Sequence, residues 1–321
     1  MRDRPKALMP LARVGLPLTL AATLAGCSAS YESERLFWNA HRLRAQILED
    51  PGGASPEQFE QAIEAFRLVT RKRRGSELAA RAHLAIGSLY ALQRQYGRAR
   101  EAFETLVKEH GADRSLRLRG LAAIVRTHEA EQAWEEVVAA YRRIAEEAPW
   151  SVLGLEVPLR IAAVHEHAGE PEQGAREYRR AVETYRDQRA NAPSPEVAGY
   201  VTGYLALAYQ PLCEWRLAVE TLEELADGPA AANRPLALLT LGAIYESKLS
   251  KQEQAEAMYQ KLVREFPEHP LGTVARLHLE HLGVATELGA DAPQPGEAAA
   301  GLSSGSGPAS PPAEVMGLPR P

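Results

Sequence analysis

The sequence predicts an all-α solenoid of about six stacked helical hairpins closed by a C-terminal capping helix. Three observations carry that prediction. Ala, Leu, Glu and Arg dominate a chain of 321 residues that is 45% hydrophobic and 25% charged, and these side chains lose little freedom in a helix. A small or β-branched residue, then a large ring or Leu four later, then an apolar residue three further on recurs along the chain. The spacing i, i+4, i+7 sets all three on one helical face, and their regular return marks a repeat array.

The elements follow in order. Residues 1–26 read as a signal peptide and lie outside the fold. Arg2, Arg4, Lys6 and Arg13 precede an apolar run over 14–25, too short for a bilayer span of roughly 20 residues. The run ends Leu24-Ala25-Gly26-Cys27, which resembles the lipobox of bacterial lipoproteins. The resemblance implies cleavage before Cys27, a diacylglyceryl thioether on its sulfur, palmitate-type acylation of the new amino group, and a lipidated linker over 27–30. Two or three acyl chains, at about 0.8 kcal/mol per buried CH₂, give a stable anchor. In the Gram-negative pattern Asp after the cysteine means inner-membrane retention, so Ser28 implies the outer membrane, facing the periplasm. A plain secretory signal with an incidental cysteine is the alternative.

The solenoid is expected over 31–283. Its first helix is placed at 31–48 with Trp38 as the buried anchor, and Pro51-Gly52-Gly53 and Pro56 make a long turn after it. The marker then appears as Ala62/Phe66/Val69, Ala99/Phe103/Leu106, Val137/Tyr141/Ile144, Gly174/Tyr178/Ala181, Ala218/Leu222/Leu225 and Ala255/Tyr259/Leu262. Its central residues are separated by 37, 38, 37, 44 and 37 positions. The long interval is assigned to a loop over 187–196, which holds Asn191, Pro193 and Pro195. A second marker precedes five of these: Gly87/Tyr90, Val125/His128, Ala162/His165, Ala206/Tyr209 and Gly242/Tyr245. There a small residue permits close helix approach and the ring fills the gap beside it. Terminators follow the central residues at Arg74, Gly111, Pro149, Arg186, Pro229 and Pro267. A cap helix over 271–282, with Leu277 and Leu282 on one side, ends the array. Residues 284–321 hold seven prolines among Gly, Ala and Ser and are expected to be disordered.

The order small-x₂-Tyr, then Ala-x₃-Phe/Tyr, then a terminator resembles the tetratricopeptide repeat. Residues 80–111 fit its pattern closely, as do 235–267 with one inserted residue. The resemblance implies a right-handed superhelical solenoid whose concave groove is lined by the first helix of each hairpin. Matching positions here are Arg81, Ser88, Arg119, Arg126, Glu166, Tyr200, Gln210 and Glu246. The carboxylate clamp of chaperone-binding members needs Lys and Asn where this chain has Leu84 and Ser88, so that ligand mode is not implied.

Chemistry-bearing patterns are sparse. No nucleophile elbow, phosphate loop or HExxH motif occurs, so no catalytic residue, enzyme activity or cofactor is assigned. His165 and His167 point about 200° apart on a helix and cannot share a metal. His278 and His281 could share a face with His269 nearby, but no third ligand is fixed by spacing, so no metal is assigned. Cys213 is expected to be a small, semi-buried apolar residue. The run Arg71-Lys72-Arg73-Arg74 is read as a helix carboxyl end, with lipid head-group contact as the alternative. The net charge is −5, and the basic leader leaves about −8 on the rest, a poor match for nucleic acid.

Together the anchor and repeats are similar to BamD-type outer-membrane assembly lipoproteins, pilotin-type lipoproteins and Tol–Pal-associated repeat proteins, with 77–96 and 266–278 carrying the likeness. The implied function is a protein-protein interaction scaffold in the bacterial envelope. It would be a subunit of an outer-membrane or secretion/pilus assembly machine, binding other envelope proteins or extended peptides in its groove. The alternative is a structural protein tethering the outer membrane to peptidoglycan.

Overall fold

The computed structural model describes residues 16–110, 113–228 and 233–284, with side chains from residue 31 onward. Among them are thirteen helices and no strand: α1 (Leu16–Glu49), α2 (Pro56–Lys72), α3 (Glu77–Leu92), α4 (Tyr96–Glu109), α5 (Arg114–Ala130), α6 (Trp134–Glu147), α7 (Val152–His167), α8 (Pro171–Ala190), α9 (Pro195–Tyr209), α10 (Trp215–Asp227), α11 (Arg234–Ser247), α12 (Gln252–Glu265) and α13 (Pro270–His281). The fold is an all-α repeat solenoid. It divides into two compact units, residues 1–221 and 222–321, with the boundary inside α10. Residues 1–15 of the expected leader, the Cys27 side chain, Gly111, Pro229 and the 285–321 part of the expected tail lie outside the described residues.

In the first unit each helix from α1 to α9 packs on the next. α1 also touches α3, α3 touches α5, and α7 touches α9. The first helices of successive hairpins therefore form one layer and the second helices another. Every residue of the six markers is buried. The close approach is literal at Gly87, where an added Cβ would stand 2.3 Å from Phe103 Cε1. In the second unit α11 packs on α12 and α12 on α13, and Gly242 stands in the same relation to Tyr259, again at 2.3 Å.

Two local devices set the hairpins. The turns inside five of the hairpins, from α3/α4 to α11/α12, each place one residue in the left-handed region: Arg94, Gln132, Gly169, Cys213 and Ser250. The next amide closes back on the carbonyl of the second-marker ring: Gln95 to Tyr90 at 2.9 Å, Ala133 to His128 at 3.0 Å and Glu170 to His165 at 2.8 Å. These bonds satisfy carbonyls that the helix end would otherwise leave unpaired. Between hairpins, Ser76, Asp113, Ser151 and His269 each stand ten positions after a marker ring. Each side chain accepts from an amide of the following helix.

Three expectations are corrected. Trp38 is 66% exposed, while Ala40 and Ile47 are buried and Phe37 meets Phe66 edge-on. One position is about 100° of helix, so the anchor is Phe37. The 187–196 loop is mostly helix: α8 runs to Ala190, and the break spans only 191–194. Arg186 therefore sits inside α8 as no terminator, because Asp-Gln-Arg-Ala carries no helix breaker before Asn191. In α13 the buried residues are Gly272, Ala275 and Leu279, and Leu277 is 60% exposed.

Pro158 sits inside α7, where it removes a backbone donor and opens the hydrogen-bond ladder. The buried Tyr185 hydroxyl meets the same turn, donating to the Leu155 carbonyl at 2.6 Å. Burial pushes Tyr185 well above the usual phenol range. Its ring stacks on Tyr204 at 5.9 Å.

Candidate functional site

In the first unit the sequence-derived groove residues lie on the first helices of the hairpins: Arg81 and Ser88 on α3, Arg119 and Arg126 on α5, Glu166 on α7 and Tyr200 on α9. Three hairpins carry a brace between their two helices. Tyr141 Oη donates to Glu129 at 3.1 Å and Tyr178 Oη to Glu166 at 3.2 Å. In the second unit Tyr259 Oη donates to Glu246 at 2.7 Å. Each glutamate lies in the last turn of the first helix and each tyrosine is a marker ring on the second. Burial, reinforced by the adjacent carboxylate, raises all three tyrosines above the usual phenol range.

The second hairpin, α3/α4, lacks this brace, as do α1/α2 with Phe66 and α9/α10 with Leu222 at the ring position. Twelve residues before the α3/α4 ring stands Ala91, and the ring is Phe103, which has no hydroxyl. At that place there is a pocket of about 400 Å³ lined by Arg44, Leu48, Ser88, Leu92, Thr127 and Arg126 among others, with Ala91 and Phe103. Arg44 Nε is enclosed and meets no acceptor. The other enclosed guanidinium nitrogen, Arg117 Nε, faces Glu147 at 2.8 Å.

The sequence-derived groove residues are distributed as follows. Arg81 is exposed and pairs with Glu77 at 2.5 Å. The Ser88 hydroxyl donates to the Leu84 carbonyl at 2.8 Å. Arg119 and Arg126 are exposed, and neither has an ion-pair partner among the described residues. Tyr200 is exposed on α9, and Gln210 is half-buried as the cap of that helix. Glu166 and Glu246 are already engaged by their tyrosines. Glu246 also meets His278 Nδ1 at 3.0 Å, with the His278 ring stacked 4.8 Å from Tyr259. The structure thus gathers only Ser88 and Arg126 into one pocket. Sequence reasoning missed Arg44, Leu48 and Leu92; the signal available was the exchange of Glu and Tyr for Ala91 and Phe103.

A second polar cluster in the first unit also went unread. Arg160 pairs with Glu156 at 3.3 Å beside Tyr204. Burial, with Glu156 adding to it, pushes Tyr204 up to about 12.

The remaining candidates have local roles. His165 Nδ1 meets Glu170 at 2.8 Å across its turn. His269 caps α13 through Leu271 N at 3.2 Å. No group of three or more His, Cys, Asp or Glu side chains is arranged to hold a metal among the described residues. The basic run is held by neighbours: Arg71 lies 3.6 Å from Glu64, Lys72 pairs with Glu32, and Arg74 lies 3.9 Å from Glu109. Cys213 is exposed, correcting the semi-buried expectation. It occupies the tip of a left-handed turn, which points its side chain away from the helix pair. No helix among the described residues is long and apolar enough to cross a membrane.

Comparison with known proteins agrees with this architecture. Residues 236–269, from α11 to the cap of α13, match the tetratricopeptide repeat family. No curated protein matches the chain. Among solved structures, a thermophilic repeat protein of Thermus thermophilus is 20% identical, covering 63% of this chain and 98% of its own, with a TM-score of 0.42. BtubC from P. vanneervenii is 14% identical, covering 81% and 96%, with a TM-score of 0.40. YrrB, described as a repeat protein with an unusual peptide-binding site, is 14% identical, covering 67% and 99%, with a TM-score of 0.33.

Proposed function

We propose that this chain is a protein-protein interaction scaffold of the bacterial envelope. It is anchored through acyl chains on Cys27 to the outer membrane, faces the periplasm, and serves as a subunit of an assembly machine without catalysing a reaction. One observation carries the scaffold reading. The first-helix layer of the first unit presents Arg119, Arg126 and Tyr200 at repeated positions, exposed, and leaves the two arginines without internal partners. Side chains spent on neither core nor internal ion pairs are available to an extended segment or a partner domain. The anchor reading is supported by Leu24-Ala25-Gly26-Cys27 behind a basic and apolar leader, and the outer-membrane reading by Ser28.

Two experiments test these readings separately. Affinity capture of the detergent-solubilised, tagged chain from envelope extracts should recover defined proteins in stoichiometric amounts, and a double Arg119→Glu, Arg126→Glu variant should lose them. Recovery of the bait alone, or partners unaffected by the double variant, would refute the scaffold reading. For the anchor, Cys27→Ala should abolish labelling by palmitate and leave the leader uncleaved; a variant that still takes up label would refute it.

A further inference from the structure

We propose that the pocket over α3 takes an acidic side chain of an extended peptide, flanked by apolar residues, in the slot that glutamate fills in the α5/α6, α7/α8 and α11/α12 hairpins. The inference rests on the scaffold reading and gives it a ligand chemistry.

The argument begins with the brace. In the third and fourth hairpins a glutamate occupies the last turn of the first helix and receives a tyrosine hydroxyl, and the α11/α12 hairpin of the second unit does the same. In the second hairpin both halves are missing at once: Ala91 carries no carboxylate and Phe103 no donor. An open pocket of about 400 Å³ lies at that place. Arg44 borders it from α1 and Arg126 from α5. Two cations therefore border the place where three hairpins of this chain hold a glutamate.

Arg44 makes the vacancy costly. Its Nε is enclosed, yet no carboxylate, carbonyl or hydroxyl receives it among the described residues. A buried charged donor left unpaired is destabilising, and a carboxylate is the acceptor that suits a guanidinium best. Three half-buried arginines elsewhere in the first unit have such partners: Arg67 with Glu64, Arg100 with Glu131 and Arg117 with Glu147. Arg44 Nε and Arg126 have no such partner among the described residues, and an acid from outside would supply one.

The apolar requirement comes from the rest of the lining. Leu48 and Leu92 are both large and exposed, at 44% and 43%, and both border the pocket. Ala91, Ala123 and Ala130 continue the apolar wall. A free carboxylate ion would satisfy the arginines and leave these leucines wet. A peptide with apolar residues beside its acid covers both.

The test uses the full chain and a fluorescein-labelled, end-capped peptide carrying Leu-Glu-Leu between glycines, with its Leu-Gln-Leu counterpart. Fluorescence anisotropy should show the Glu peptide binding at least about tenfold more tightly, the loss expected when a charge-assisted hydrogen bond is removed. Arg44→Met should erase that preference. Ala91→Glu with Phe103→Tyr installs the brace inside the pocket; this variant should keep its helical circular dichroism and lose the peptide. Equal binding of the two peptides, no binding of either, or undiminished binding by the folded double variant would overturn the inference. The double variant also separates this failure from that of the scaffold reading. If it still captures the same envelope proteins as the parent chain, the scaffold stands and the pocket is not its contact. If neither chain captures any protein, the scaffold reading falls with it.

Discussion

Gly87→Ala sets helix propensity against packing, and the two predict opposite signs. Replacing glycine by alanine inside a helix is ordinarily stabilising by about 1 kcal/mol. Here the new methyl would lie 2.3 Å, 2.6 Å and 2.7 Å from three atoms of the Phe103 ring. Relief requires that ring to withdraw by about 1 Å, to ordinary contact distance. Phe103 is 3% exposed and lies within the continuous core of the first unit, so it has nowhere to go without moving α4. Overpacking of this kind costs about 1–3 kcal/mol. The net expectation is a loss of up to about 2 kcal/mol, made by subtracting the propensity gain. Gly97→Ala is the control, since its Cβ meets nothing within 4 Å and the variant should hold or gain stability. Urea unfolding followed by far-UV circular dichroism, with hydrogen exchange on α3 and α4, measures both. Adding Phe103→Leu to Gly87→Ala should recover part of the loss, giving a favourable coupling in the double-mutant cycle. A Gly87→Ala chain as stable as the Gly97→Ala control would refute the packing argument.

Three further outcomes follow from the same geometry. Gln132→Gly should raise stability by about 0.5–1 kcal/mol, because Gln132 sits at φ 57° and glycine adopts that conformation without steric cost; a lowered urea midpoint would contradict it. Tyr185→Phe should cost about 0.5–1.5 kcal/mol by removing the buried hydrogen bond to the Leu155 carbonyl, read as faster amide exchange along α7. Acidification should weaken the first unit through His83 and His128. Burial holds both below the usual imidazole range, with His110 adding to His83 and Arg100 to His128. The unfolded chain therefore binds more protons below about pH 6.5, and stability falls as pH drops through that range. The melting temperature should fall between pH 7 and pH 5.5, less so in His83→Gln.

Legibility in the sequence was uneven for physical reasons. The six markers were readable because burial of a helix face imposes a strict spacing, and each marker residue is indeed buried. The caps at Ser76, Asp113, Ser151 and His269 were equally readable at ten positions past each ring, yet they need the ring phase first. The left-handed turn positions were not readable. Four of the five hold Arg, Gln, Cys and Ser, so the usual glycine signal is missing and only the backbone hydrogen bonds reveal them. Trp38 misled because size suggests an anchor, while a single step around α1 decides which ring faces α2. The pocket was hidden for another reason: it lies where Ala91 and Phe103 lack a carboxylate and a hydroxyl, and that absence carries meaning only beside the Glu-Tyr pairs of the α5/α6, α7/α8 and α11/α12 hairpins.

The turn at Cys213 has a practical consequence. Its sulfur is exposed, and its backbone amide is bonded to the Gln210 carbonyl at 2.9 Å, so the loop's conformation does not depend on the thiol. A maleimide dye or nitroxide should therefore attach there without disturbing the helices on either side. On the proposed anchor a thioether blocks the Cys27 sulfur, so such chemistry would be site-selective in the native chain, and the protein could be followed by spectroscopy with no engineered handle.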